Sequence, residues 1–111
     1  MMAGIIENLE AMLVNNNDNA LLRYSLGNEY SKQKKYDEAL KHLSKAVELD
    51  PEYSAAWKLY GKILTNSNQI DKAINAYETG IKVAEKKGDI QAAREMKVFL
   101  KRLNKGLRTE D

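Results

Sequence analysis

The residues of this chain whose types and spacing could do chemistry are mostly cations. Arg94, Lys97, Lys101, Lys105 and Arg108 recur at spacings of three and four. That spacing places all of them in one narrow stripe of a helix. Such a stripe could meet RNA phosphates, anionic lipid or an acidic protein. Its more common role is to be the soluble face of a helix. No aromatic residue interleaves with it, which argues against single-stranded nucleic acid.

The rest of the reactive inventory is sparse. There is one histidine, His42, and no cysteine. His42 stands beside Leu43 and off the apolar stripe, so it is expected at the solvated surface. One histidine and no clustered acids give no recognisable metal site. No phosphate loop, nucleophile elbow or dinucleotide fingerprint occurs. Asp37, Glu38 and Asp71 fall at expected helix starts, where the backbone dipole favours a carboxylate. The sequence therefore predicts neither an enzyme nor a bound cofactor.

The elements that carry these residues follow from length, charge and periodicity. With 111 residues there is room for a single domain around one core. No run of about 18 apolar residues occurs, so no membrane span is expected. The start reaches Glu7 without a basic segment before an apolar run, which argues against a secretory signal. The lack of cysteine fits a reducing compartment, and a cytoplasmic location is expected. Charge is uneven. Residues 1–81 hold nine Lys/Arg against eleven Asp/Glu, whereas residues 82–108 hold nine against three. The basic character belongs to the C-terminal end.

The sequence repeats itself at a period of 34. Leu26-Gly27 falls on Tyr60-Gly61, and Asp37-Glu38-Ala39-Leu40 falls on Asp71-Lys72-Ala73-Ile74. Leu43 falls on Tyr77, and Val47 on Ile81. Each unit reads as two helices. In the first unit, Leu22, Leu26 and Tyr30 recur at helical spacing before a Gln33-Lys34-Lys35 turn. Ala39, Leu43, Ala46 and Val47 follow, and Asp50-Pro51 stops the second helix. The second unit predicts helices near 54–66 and 71–86 around an Asn66-Ser67-Asn68-Gln69 turn. Before the units, Ile5, Leu9, Met12 and Leu13 mark one amphipathic helix over 5–14, followed by Asp18 or Asn19 as a cap for the next helix. After Lys87-Gly88-Asp89, a last helix to about Asn104 carries Ala93, Met96, Phe99, Leu100 and Leu103 on one side, and residues 108–111 are expected to fray.

These residues resemble the tetratricopeptide repeat, whose pattern is W-x2-L-G-x2-Y, then A-x3-F, then P. The first unit, 20–53, reads Arg23-x2-Leu26-Gly27-x2-Tyr30, Ala39-x3-Leu43, Ala46 and Pro51. The second, 54–87, reads Trp57-x2-Tyr60-Gly61-x2-Leu64 and Ala73-x3-Tyr77. Arg23 replaces the aromatic residue, Gly80 stands where Ala46 does, and Glu85 stands where Pro51 does, which predicts a longer last helix in that unit. The resemblance implies an all-α, right-handed αα-hairpin solenoid of about six helices. It would comprise a half repeat over 5–14, two full units, and a capping helix over 88–105. Mid-helix Gly27 and Gly61 each cost about 0.5–1 kcal/mol relative to alanine, a cost that makes sense where a neighbouring helix comes close.

In solenoids of this shape the first helices of successive units line a concave face. The resemblance puts Leu21, Tyr24, Asn28 and Ser31 there from the first unit, and Ala55, Lys58, Lys62 and Thr65 from the second. That set suits an extended peptide or a carboxylate, with the lysines supplying charge and Asn28 pairing with backbone amides. Some members of the family grip chaperone C-terminal carboxylates with a lysine and asparagine clamp. Asn28 fits one of its asparagines. Tyr24, Leu59, Asp89 and Ala93 occupy the other positions, so the clamp is missing and chaperone-tail binding is not expected. The leading expectation is a non-catalytic adaptor that holds a peptide or protein in its groove. The alternatives are a self-associating structural module and nucleic-acid binding through the basic helix, of which nucleic acid is the less expected partner.

Overall fold

The computed structural model describes residues 4–109, with side chains described through residue 106. Within them the chain forms six helices and no strand: α1 (Ile5–Val14), α2 (Ala20–Lys32), α3 (Tyr36–Leu49), α4 (Ser54–Asn66), α5 (Ile70–Lys87) and α6 (Ile90–Thr109). Consecutive helices pack against each other, and the molecule measures 50 × 31 × 19 Å. The terminal helix is longer than the sequence suggests, since it continues past Asn104 to Thr109. Of the residues expected to fray, Glu110 and Asp111 lie outside the described residues.

The starts and stops of the helices have local causes. The Asn19 side chain accepts a 2.8 Å hydrogen bond from the Leu22 N–H, so Asn19 caps α2. Asp18 turns instead to Arg23. Asp50 and Pro51 end α3 after 14 residues. No proline interrupts α5, which runs for 18 residues before Gly88 closes it in the left-handed region at φ 78°. The two turns inside the hairpins are copies of each other: Lys34 and Asn68 both take φ near +60°, at 58° and 60°. The 34-residue period therefore holds for the backbone as well as for the side chains.

Small residues set the spacing between helices. A Cβ added at Gly27 would lie 2.5 Å from Leu43 Cγ, and one at Gly61 2.5 Å from Tyr77 Cε1. Both glycines thus admit the next helix at close range. Leu43 and Tyr77 fill the space and are themselves buried. Gly80 does the same one layer on, receiving Trp57 and the Met96 thioether. Met96, Ala92 and Ala93 seat α6 on Tyr77, Ile81 and Ala84 of α5. Phe99, Leu100 and Leu103 extend that contact.

The ends depart from the repeat in instructive ways. Gly27 and Gly61 are each the eighth residue of their helix, and the eighth residue of α6 is Lys97. Lys97 is exposed there and pairs with Glu85 of α5. At the other end, α1 buries no residue. Ile6, Leu9, Glu10 and Leu13 are half-buried, whereas Ile5 and Met12 are exposed. The expected apolar face of Ile5, Leu9, Met12 and Leu13 is therefore split. Helix α1 is packed on one side only, against α2 with Glu10 reaching His42 of α3, and that side takes just part of the stripe.

Candidate functional site: the inner face of the solenoid

Helix α2 touches α4, and α4 touches α6, whereas α3 and α5 do not approach each other. The layer of α2, α4 and α6 is the tighter one, so it lines the concave side. The groove residues expected from sequence are distributed along it. Leu21 is 64% exposed at the start of α2. Tyr24 is half-buried, its ring 5.1 Å from that of Tyr53, and it packs beside Ala46, Val47 and Ala56. Asn28 is half-buried, and its side-chain amide has no partner within the described residues. Ser31 donates to the Asn28 carbonyl at 2.7 Å, and Thr65 donates to the Gly61 carbonyl at 2.8 Å. Ala55 is half-buried and Lys62 is exposed.

Two features of this face come from α6 and were missed by sequence reasoning. Lys58 donates to Glu95 of α6 at 3.0 Å, so the pair spans neighbouring inner helices. Lys58 is thus neutralised and does not stand as a free cation in the groove. Beyond it, Lys62, Thr65 and Asn66 of α4 face Phe99, Arg102 and Leu103 of α6 around a cavity of about 300 Å³, with Tyr77 beneath. Helices α2, α4 and α6 begin at 20, 54 and 90, so the last interval is two residues longer than the repeat. Neither a shift of 34 nor one of 36 carries an expected groove position of α4 onto Glu95 or Arg102, so no periodic signal marks them.

Asp89, which stands at a clamp position of the family, has a structural task. Its Oδ2 accepts from the Ser54 hydroxyl at 2.7 Å, and its Oδ1 accepts from the Ala92 N–H at 3.4 Å. It caps α6 and ties that start to the start of α4. These hydrogen bonds, the Ser54 one foremost, hold its carboxyl below the ordinary carboxylate range.

A second polar assembly lies between α1 and the first hairpin, and it corrects the expectation for His42. The ring is not at the solvated surface: His42 is 2% exposed. It stacks on Tyr30 with centroids 5.6 Å apart and planes 4° from parallel. Arg23 Nη1 lies 3.2 Å from His42 Nδ1. Because guanidinium only donates, Nδ1 is the acceptor and the proton sits on Nε2. Nε2 then faces Glu10 Oε1 at 3.4 Å, which also accepts from the Tyr30 hydroxyl at 3.1 Å. Arg23 in turn pairs with Asp18 at 2.8 Å, and that hydrogen bond lowers the Asp18 carboxyl. Burial lowers the His42 pKa; Glu10 opposes this, and the Arg23 charge adds to it. His42 lies beside the packed stripe of α3, and the tail of α1 covers it. Replacement of the family's aromatic by Arg23 was the one sequence sign that this layer is polar.

Arg94, Lys97, Lys101 and Lys105 are exposed on α6, and the Arg108 side chain lies outside the described residues. Lys97 pairs with Glu85 at 2.7 Å. Among the described residues no group of three His, Cys, Asp or Glu could hold a metal ion. No helix there is long and apolar enough to cross a membrane.

Comparison with known proteins agrees with this architecture. A tetratricopeptide-repeat family model matches residues 20–53, and a second such model matches residues 42–75. A TPR repeat-containing protein of Pseudomonas aeruginosa is 45% identical over 101 residues, 91% of this chain and 96% of that protein. A protein of Bordetella parapertussis known from its solution structure is 44% identical, with a TM-score of 0.82 over 95% of this chain and 91% of that one. The second TPR domain of human RPAP3, solved in complex with the HSP70 peptide SGPTIEEVD, is 28% identical, with a TM-score of 0.68 over 83% of this chain and 78% of that one. Six helices, two glycine-spaced hairpins and a relative alike over nearly its whole length place the chain in one family: it belongs to the tetratricopeptide-repeat proteins.

Proposed function

We propose that this chain is a non-catalytic protein-interaction module that holds an extended segment of another protein along its concave face. The observation that carries the reading is the set of unsatisfied groups there. The Asn28 amide, the Lys62 ammonium and the Arg102 guanidinium have no protein partner within the described residues, and apolar surface from Phe99 lies beside the two cations. An amide with free donors and acceptor suits peptide backbone, and free cations suit carboxylates. Repeat solenoids use such concave surfaces for binding. The RPAP3 domain, a structural neighbour, was solved with a peptide bound, which adds support by analogy of fold.

The test is selection of ligands from a peptide-display library on the intact chain, followed by affinity measurement against the double variant Lys58→Glu, Lys62→Glu. The reading predicts a loss of about tenfold or more, since two charges reverse beside the ligand. Unchanged affinity would remove the groove from the account.

A further inference from the structure

We infer that the cavity between α4 and α6 is an anchor pocket for one aromatic or branched apolar side chain flanked on both sides by acidic residues, within an internal stretch of a partner protein. The inference rests on the groove reading and specifies what that groove selects.

The floor and the rim of the cavity differ in character. Tyr77, Phe99 and Leu103 supply an apolar floor, and about 300 Å³ is room for one large side chain. Lys62 stands on the α4 wall and Arg102 on the α6 wall. Both are exposed, and neither has an ion-pair partner within the described residues. The nearest acid on the inner face of α6, Glu95, is engaged by Lys58. A single carboxylate at a chain end would satisfy one wall. Two cations on opposite walls suit two carboxylates, one before and one after the anchored residue. An apolar contact between charged rims is also the arrangement in which a buried anchor gives affinity and the rim gives selectivity. The Lys58–Glu95 pair bounds the site: it leaves the adjacent part of the groove electrically balanced, so acidic residues are drawn to the pocket and not past it.

The test uses the whole ¹⁵N-labelled chain titrated with blocked tripeptides and read by amide chemical shifts. The probes are Ac-Glu-Phe-Glu-NH2, Ac-Gln-Phe-Gln-NH2, Ac-Glu-Ala-Glu-NH2, and Ac-Gly-Gly-Phe with a free carboxylate. The first is expected to shift Lys62, Thr65, Phe99, Arg102 and Leu103. It should bind about fivefold tighter than the glutamine probe, as two exposed ion pairs give, and about tenfold tighter than the alanine probe. Lys62→Ala and Arg102→Ala, both at exposed positions, should each reduce the preference for glutamate over glutamine while keeping the spectrum of a folded chain. Equal binding of the glutamate and glutamine probes overturns the proposal. So does tighter binding of the free-carboxylate probe, which would make the pocket a chain-end receptor, or shifts confined to Lys97, Lys101 and Lys105. A longer display-selected ligand separates the two levels. Shifts at Tyr24, Asn28 and Lys58 with a silent pocket leave the groove reading standing and remove the pocket; no shift on any inner helix removes both.

Discussion

Lys58 of α4 and Glu95 of α6 are joined at 3.0 Å across adjacent inner helices. Both side chains keep a third or more of their surface in water, at 34% and 42%, so the pair contributes less than about 1 kcal/mol to stability. Its larger effect is on the potential of the groove, where it cancels one of two lysines. Glu95→Gln is therefore expected to leave the urea midpoint nearly unchanged and to tighten binding of acidic ligands by about two- to fivefold, the worth of one exposed ion pair. Calorimetric titration of a display-selected acidic peptide into both forms checks this. Weaker binding by the variant would mean that Glu95 itself holds the ligand.

The glycines make a second prediction, with an internal control. Alanine at Gly27 or Gly61 drives a methyl group into Leu43 or Tyr77. Overpacking of this kind costs about 1–3 kcal/mol, and the better helix propensity returns only about 0.5–1 kcal/mol. Each variant should lose about 1–2 kcal/mol in equilibrium unfolding. Among the described residues nothing lies within 4 Å of a Cβ at Gly106, so Gly106→Ala should gain about 0.5 kcal/mol. If all three substitutions behaved alike, close helix approach would not be the reason for the two repeat glycines.

Lys34 holds φ 58° where its counterpart one repeat later is Asn68 at φ 60°. A lysine in the left-handed region is disfavoured by the clash of its Cβ with the following carbonyl, whereas asparagine tolerates it. Lys34→Asn should stabilise the fold by about 0.5 kcal/mol, near the low end of such backbone effects. That corresponds to roughly 2–4 °C in thermal midpoint for a domain of this size. A lowered midpoint would show that the lysine side chain makes a contact worth more than the strain.

Acid should weaken the fold in two steps. The folded-state pKa of His42 lies below its ordinary value of 6.5. Above that value the ring is neutral in both states and the full stability is present. As pH falls through it, the unfolded chain takes up the proton first, so stability is lost from about pH 6.5 downward. Glu10, Glu38, Arg23, Lys41 and the Tyr30 ring are the groups around it. Asp18 and Asp89 have carboxyls lowered from 3.8, and their contribution is present above that value and lost below it. Urea unfolding from pH 7.5 to 5 should show a falling midpoint in the native chain and a flatter one in His42→Gln. A rising midpoint over that range would reverse the assignment of His42 as a neutral acceptor from Arg23.

The architecture was legible because packing places the same demand on each unit. Gly27 and Gly61, Ala39 and Ala73, and Leu43 and Tyr77 meet one another's neighbours in space, and sequence periodicity records that directly. The inner face was legible in part, since Asn28 and Lys62 hold equivalent places in successive units. What the sequence concealed depends on how the ends dock. Glu95, Phe99 and Arg102 face α4 from α6, and the period carries no expected groove residue of α4 onto Glu95 or Arg102. His42 is buried because Glu10 of α1 closes over it, and a helix outside the repeat leaves no periodic mark of where it will lie.

The central claim is that the concave face is where this module holds its partner. The most direct measurement is amide chemical-shift mapping of the intact chain with a display-selected peptide. The account predicts that the largest shifts fall on Tyr24, Asn28, Lys62, Thr65 and Phe99, the inner residues of α2, α4 and α6. Shifts confined to Lys97 and Lys105, or to the exposed edge of α1, would contradict it.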